Sequence, residues 1–451
     1  MTDRQEQIVK NVDKHEKEVL EAERFIWAHP QTGYTEWEAN DYLAERFEAL
    51  GYELNRAGNI PGFVTDIDTG KPGPMLAIMG ELDALDIANH PESVNGMTHA
   101  CGHHCQASGM LAVAAALKEP GALDGLSGRI RLMLVPAEEM IQLEFREELR
   151  QKGIIKYNGG KPEFMYRGFF DGVDLAIMVH TEGGEKAFCC GYGMNGCIAK
   201  TIVYKGKSSH AGGSPEEGIN AQYAAMLGLQ ACNDLRETLR DQDMVRFHPI
   251  LKGVKSAVNI IPDEMRIESY VRANDLSVIR KENEKFNRAL AGAAFAMGAR
   301  VELHDRPGYA PEWHDKTFMQ LVEQCCVELA GRDNVDFDYT SVSGGSSDFG
   351  DVTCVMPGIQ FGANGAAGTA HGIDYHIVDP KSACLGSAKA ELFVVEALLS
   401  DGGEKAYEII KNYKPKYPSI EAYLAALDEL TLDKEAVVYG EDGSVTIDYK
   451  N

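Results

Sequence analysis

Seven consecutive residues, His99-Ala100-Cys101-Gly102-His103-His104-Cys105, carry five side chains able to ligate a metal ion. Neutral imidazole and thiolate suit zinc and its neighbours, whereas an apolar core uses Leu or Val in such places. One buried His or Cys is more often a satisfied core residue than a ligand. Five together, hinged on Gly102 and opening the apolar run Met110-Leu111-Ala112-Val113-Ala114-Ala115-Ala116-Leu117, read as a metal site. Cys101 and His103, two apart across a glycine, fit a turn at the head of a helix, where free backbone N–H groups favour a thiolate.

Such a cluster needs distant elements to complete it. Helical periodicity runs from about Gln7 to Ala28 and from Glu36 to Leu50, with Gly51 as a C-terminal cap. The apolar stretches Met75–Met79, Ile130–Val135 and Leu175–Val179 read as buried strands separated by helices, which predicts an α/β domain with a largely parallel sheet. Chemistry on such sheets collects at the carboxyl ends of strands. The first strand leads into Glu81-Leu82-Asp83, the second into Pro136-Ala137-Glu138-Glu139, and the third into His180-Thr181-Glu182. A fourth element, Gly358–Gly362, precedes a Gly/Ala-rich loop ending at His371. A carboxylate after one strand is usually a solvated turn residue; recurrence after several, beside a His/Cys cluster, points to a shared site. Adjacent Glu138 and Glu139 cannot share one orientation, so one can ligate a metal while the other takes a proton from water. The competing reading has the pair merely open a helix at Met140 and complement its dipole.

Composition bounds the alternatives. At 451 residues the chain exceeds one ordinary core, and 44% hydrophobic with 25% charged residues is a globular composition. A net charge of −25 argues against nucleic acid or an anionic membrane as partner. The charged start Met1-Thr2-Asp3-Arg4-Gln5-Glu6, the lack of a long apolar run and ten cysteines without a disulfide-like spacing predict a cytoplasmic protein. The glycine-rich run Ser343–Gly350 lacks the Lys-Ser/Thr of a phosphate loop and the frame of a nucleophilic serine turn.

A series of separated segments resembles the aminoacylase/carboxypeptidase metallohydrolases, in order over about residues 20 to 400. These are Ala28-His29-Pro30-Gln31-Thr32-Gly33-Tyr34, His99-Ala100-Cys101-Gly102-His103, Pro136-Ala137-Glu138-Glu139, Ser209-His210-Ala211-Gly212 and Asn259-Ile260-Ile261-Pro262-Asp263-Glu264. The nearest branch is the amidohydrolases with a cysteine ligand, which act on N-acyl amino acids, auxin conjugates and aminobenzoyl-glutamate. The resemblance implies a catalytic α/β domain with a mostly parallel mixed sheet flanked by helices, from residues 1–189 and 306–401. It also implies an inserted smaller α/β lid and dimerisation domain at 190–305, leaving 402–451 as a C-terminal extension. Local patterning within the insertion predicts strands at Cys197–Tyr204, Ser256–Asn259 and Met265–Arg272 and helices at Asn220–Leu239 and Leu276–Met297.

By the same resemblance one or two divalent cations, zinc or manganese, are held by Cys101, His103, Glu139, His180 and His371, with Cys101 bridging as thiolate. Glu138 is implied as general base and acid. His210 corresponds to a lid histidine that reaches across a homodimer to polarise the scissile carbonyl. Asn259 and Arg272 correspond to contacts with a substrate carboxylate or the oxyanion; a planar guanidinium suits bidentate capture of a carboxylate. The implied reaction is hydrolysis of an amide in a small N-acyl or N-aroyl amino acid or dipeptide carrying a free carboxylate, with a dipeptidase-like or aminobenzoyl-glutamate hydrolase as the alternative. Two further classes stand beside it: a thiol enzyme centred on Cys101 or Cys105, which chelation would not silence, and a non-catalytic dimeric binding protein on the same fold. The complete set of implied ligands argues against the last. The chain departs from the family pattern at His104, Cys105 and Gln106, where relatives carry an Asp and a later His, and at Glu81, where they tend to carry Asp. These departures touch the outer surroundings of the metal.

Overall fold

The computed structural model describes residues 1–252 and 257–450, which form two compact units. The first comprises Met1–Gly193, Glu312–Ser343 and Ser347–Ile420; the second comprises Met194–Pro311, Gly344–Ser346 and Glu421–Asn451.

The first unit is built on a nine-stranded mixed sheet. Its centre is four parallel strands in the order Arg129–Val135, Met75–Glu81, Leu175–Gly183 and Gly358–Ala367. Antiparallel strands Phe63–Asp68 and Phe188–Cys190 pair on either side. Every residue of Met75–Glu81 is buried, as expected of a strand covered by helices on both faces. The helix His103–Leu117 is buried at all of its fifteen positions, because beyond its first turns it is Ala-rich and apolar all round and offers no polar face to water. It packs on Met75–Glu81 and against the helices Glu16–Ala28 and Ser387–Leu399.

Three local expectations are corrected. The helix expected over Gln7–Ala28 is two helices, Asp3–Asp13 and Glu16–Ala28, because the chain turns at Lys14 and His15, both of which reach Glu119 at 2.5 and 3.1 Å. His180 and Glu182 do not follow a strand but lie within one: pairing with the long strand Gly358–Ala367 carries Leu175–Gly183 past them, with Gly362 opposite His180. No helix opens at Met140; the next begins at Leu143, so Glu138 and Glu139 are not helix-start carboxylates.

The second unit is an antiparallel seven-stranded sheet ordered Arg246–Phe247, Glu264–Ala273, Gly196–Lys205, Arg300–Pro307, Leu432–Tyr439, Val445–Ile447, with Ile250–Lys252 also on Glu264–Ala273. Helices Ala221–Asp234 and Leu276–Ala296 pack on it and on each other. Ser256, where the sequence predicts the start of a strand, lies outside the described residues. Ala257–Asn259 form a turn rather than a strand, closed by the Ile260 amide donating to the Ala257 carbonyl at 2.9 Å. Residues 402–451, expected as an extension, supply the helix Glu404–Asn412 to the first unit and the strands Leu432–Tyr439 and Val445–Ile447 to the second. No described helix is long and apolar enough to cross a membrane.

Glu391 is a cost within the first unit's core. It is 3% exposed on the helix Ser387–Leu399, its carboxyl has no hydrogen-bond partner among the described residues, and burial alone pushes it well above the usual carboxylate range. A carboxyl whose folded pKa is raised keeps a proton that the unfolded chain releases, so stability falls as pH rises above the unfolded value of about 4.3, by up to about 1.4 kcal/mol per pH unit. Glu391→Gln should therefore gain melting temperature over the parent progressively between about pH 5 and about pH 8. A difference that does not change with pH would contradict this.

Candidate metal centre

The carboxyl edge of the four parallel strands places acids and imidazoles side by side. Cys101 and His103 flank Gly102, whose φ of 89° turns the chain into the helix His103–Leu117. A Cβ on Gly102 would lie 2.7 Å from both the Thr181 side chain and the Tyr375 hydroxyl, so glycine is required for conformation and for space. After Arg129–Val135 the chain kinks at Ala137, a non-glycine residue with φ 59° whose amide donates to buried Glu36 at 2.7 Å. Glu138 and Glu139 follow directly on that kink. His371 also has positive φ, 61°, and its amide donates to the Ala100 carbonyl at 2.9 Å. Strained backbone of this kind persists only where its surroundings over-determine it.

The side chains converge. Cys101 Sγ lies 3.3 Å from His180 Nε2 and 3.4 Å from His371 Nε2, and His371 Nε2 lies 3.0 Å from Glu139 Oε1. Asp83 orients two of the others: its Oδ1 is 3.1 Å from His103 Nδ1, and its Oδ2 accepts the Glu139 amide at 2.8 Å. Glu182 does the same for His180 Nδ1 at 3.1 Å. A carboxylate behind a histidine is the usual outer support of a metal-binding imidazole.

Residues that sequence reasoning did not single out complete the floor. Lys161, fully buried, places Nζ 2.5 Å from Glu81 Oε1 and also pairs with Asp348, whose other oxygen accepts the Lys161 amide at 2.9 Å. Gln106 donates to Glu81 Oε2 at 2.9 Å. A lysine among glycines, in Asn158-Gly159-Gly160-Lys161, carries no sequence signal of burial.

Charge explains the protonation pattern. Burial, then the neighbouring Glu81, Glu139 and Asp348, drive Glu138 well above the carboxylate range. Burial and the Cys101 charge push Glu139 up to about 6 against the pull of His371. Burial opposes ionisation of Cys101, but His103 and His180 outweigh it and hold the thiol well below its usual value. Hydrogen bonds that His371 donates to Cys101 and Glu139 push it up to about 10. Imidazolium protons thus supply the positive charge that this set of anions demands.

A divalent cation would meet the same demand. Ligand atoms of Cys101, His103 and His180 lie within 4.8 Å of one another, as do those of Cys101, Glu139 and His371 and those of His103, Glu138 and Glu139. His103 Nε2 is buried without an aligned hydrogen bond, although Glu81 Oε2 is 3.2 Å away. The donor set of thiolate, imidazole and carboxylate fits zinc or a neighbouring metal, and Cys101 belongs to two of the groups.

The second unit holds the other three residues singled out. His210 is exposed, and its Nδ1 accepts from the amides of Gly212 and Gly213 at 3.1 and 2.8 Å, which leaves the proton on Nε2. The Asn259 carbonyl accepts the Ala211 amide at 2.9 Å and His210 bridges Ile260, so the structure brings the two segments together. Arg272, on Glu264–Ala273, donates to Ser346 Oγ at 2.6 Å and to His248 Nε2 at 3.1 Å, with its guanidinium 5.2 Å from the Tyr270 ring centre.

The chain is similar to known proteins in sequence and in fold. The model of peptidase family M20/M25/M40 matches residues 77–390. Among curated proteins, a human Xaa-Arg dipeptidase is 28% identical over 364 residues, covering 75% of this chain and 74% of its own. One of the chains of the Escherichia coli p-aminobenzoyl-glutamate hydrolase is 29% identical over 290 residues, covering 61% of this chain and 55% of its own. Among solved structures, the fold is shared with a putative aminohydrolase from Staphylococcus aureus, at TM-score 0.67, 24% identity and coverage of 86% and 98%. It is shared too with a dinuclear metal-binding peptidase from Bacillus subtilis, at TM-score 0.61, 22% identity and coverage of 85% and 98%. The family match spans most of the chain and includes Cys101, His103, Glu138, Glu139, His180 and His371, so the chain belongs to peptidase family M20/M25/M40 and is a hydrolase of amide bonds.

Proposed function

We propose that this enzyme hydrolyses the amide bond of a small N-acyl or N-aroyl amino acid or dipeptide, using one or two divalent cations, zinc or manganese. The observation that carries the reading is the turn at Ala137. It delivers Glu138 and Glu139 together, their carboxylates and His103 within 4.8 Å of one another, to a cluster whose thiolate and imidazoles fit a metal. Cys101, His103, Glu139, His180 and His371 would hold the metal, Cys101 belonging to two of the ligand groups. The names of the relatives, a dipeptidase and an aminobenzoyl-glutamate hydrolase among them, support a small amide substrate. The first unit is the catalytic part, and the second is a lid through which a cytoplasmic homodimer forms.

Divalent cations, when bound, acidify water and polarise a carbonyl. Glu138 removes a proton from the attacking water, holds it on its carboxylate, and delivers it to the departing amine. Hydrolysis of an amide needs both transfers, and one residue beside the ligand set can perform both. Asp83 and Glu182 fix His103 and His180 in orientation throughout. His210, with its proton on Nε2, donates to the carbonyl oxygen as negative charge develops there. Arg272 and Asn259 take the substrate carboxylate, for which the Arg272 fork must exchange its bond to Ser346.

The test is hydrolysis of a panel of N-acyl amino acids and dipeptides, and of the same compounds with the carboxylate amidated, by metal-reconstituted protein. Cleavage should vanish on chelation, return with added metal, and require the free carboxylate. Turnover that survives chelation would return the thiol-enzyme reading. Glu138→Gln should keep its metal content and lose about 100- to 10,000-fold in kcat; ordinary turnover would remove Glu138 from its role. His210→Asn should lower kcat by about 100- to 1,000-fold without changing metal content. Loss of metal from that variant would show His210 to be a ligand instead.

A further inference from the structure

The chain between Glu139 and Gly160 contains the helix Leu143–Gln151, of sequence LEFREELRQ. Charged side chains dominate it, and only Arg146 and Leu149 are buried. Arg146 is the deeper of the two, at 1% exposure. A surface helix ordinarily anchors itself through an apolar stripe. This one sends a guanidinium into the interior, where removing a charge from water is costly unless its hydrogen bonds are well made.

The guanidinium spans the turn that carries the two adjacent glutamates. Its Nη2 donates to the Glu139 carbonyl, and its Nη1 donates to the Asn158 carbonyl and, at 3.5 Å, to the Ala137 carbonyl. One rigid fork therefore holds the carbonyls on either side of Glu138. The amides of the same two residues are fixed separately: Glu36 accepts from Ala137 at 2.7 Å and Asp83 accepts from Glu139 at 2.8 Å. The Arg146 charge acts on both of these buried carboxylates. Space is reserved for the fork as well. A Cβ on Gly33 would lie 2.5 Å from Arg146 Nη2 and 2.9 Å from Ala137 Cα, so glycine lets both pack there. The Tyr34 ring centre is 5.5 Å from the guanidinium, and the Tyr34 hydroxyl donates to the Tyr157 carbonyl at 2.8 Å, beside Asn158. An ordinary stabilising ion pair ends on a carboxylate; the hydrogen bonds of this cation end on backbone carbonyls.

We propose that Arg146 is a positioning residue for Glu138, an inference that rests on the hydrolytic reading above. Glu138 must meet the attacking water first and the departing amine afterwards, and a misplacement of about 1 Å can cost a reaction about 100-fold. A planar guanidinium, with donors in fixed directions, holds two carbonyls two residues apart at once, whereas a lysine ammonium is a single point of charge. Arg146 acts through the backbone and transfers no proton itself. The helix Leu143–Gln151 is then a brace for the base, which explains why its deepest side chain is charged.

The test is a double-mutant cycle on the metal-reconstituted full chain, with a compound that the parent cleaves. Arg146→Lys keeps the charge and loses the fork. It should lower kcat about 10- to 100-fold while metal content and KM change by less than about twofold. In a Glu138→Gln background the same substitution should not lower kcat further, because the group it positions is already gone. Arg146→Gln, neutral and also without the fork, should show the same pattern and decides the matter if Arg146→Lys does not fold. Equal losses in both backgrounds would mark a general structural defect and overturn the proposal. Parental kcat in the single variant, or loss of its metal, overturns it as well. The base assignment is read from Glu138→Gln alone. Ordinary turnover there removes the hydrolytic reading together with this inference, whereas lost turnover there with equal losses in both backgrounds removes the inference only.

Discussion

Five carboxylates, from Glu81, Asp83, Glu138, Glu139 and Asp348, are buried together at one edge of a parallel sheet, and the remaining structure answers their mutual repulsion. Like charges at this spacing in a medium of low dielectric cannot all ionise without positive partners. Lys161 supplies one such partner permanently, bound to Glu81 and Asp348. His103, His180 and His371 supply the rest as protonated imidazoles, or yield that place to divalent cations. The division explains why two kinds of cationic group are present. Lysine neutralises Glu81 and Asp348, and the exchangeable imidazoles lie beside Cys101.

The fold is arranged so that this cost stays local. The strands Met75–Glu81 and Leu175–Gly183 are apolar until their carboxyl ends, and Arg129–Val135, which carries Arg129 and Arg131 at its amino end, ends apolar and leads directly to Glu138 and Glu139. Three turns with positive φ, at Gly102, Ala137 and His371, lie in the same place. Two of these turns are anchored by a contact made elsewhere: Glu36 holds the Ala137 amide and the Ala100 carbonyl holds the His371 amide. The helix that begins at His103, just after Cys101, packs on the helix Glu16–Ala28, where His104 Nε2 lies 3.3 Å from Glu23 Oε1. The rigidity of that helix pair therefore bears directly on the geometry of the sheet-edge cluster.

Much of this is legible in the sequence because the signals are local. Cys101 and His103 stand out by type and spacing, the apolar runs mark the strands, and Glu138 and Glu139 follow one of them. What is not legible depends on burial, which periodicity does not report for a charged residue. Lys161 reads as an ordinary surface lysine, and Asp348 as part of a polar glycine-rich loop, until the fold closes both off from water. His180 reads as following a strand because Leu175–Val179 ends the apolar run; only the partner strand Gly358–Ala367 extends it to Gly183. The strand Leu432–Tyr439 escapes notice because its alternation is interrupted by charged residues, and its pairing with Arg300–Pro307 joins segments far apart in the sequence.

The central claim is that the carboxyl edge of the parallel sheet gathers Cys101, His103, Glu139, His180 and His371 to hold metal, with Cys101 shared. An anomalous difference map from a crystal of the full chain grown with zinc tests it most directly. The account predicts density within bonding distance of Cys101 Sγ on both sides, one peak towards His103 and His180 and the other towards Glu139 and His371. A map with no peak at Cys101 would contradict it.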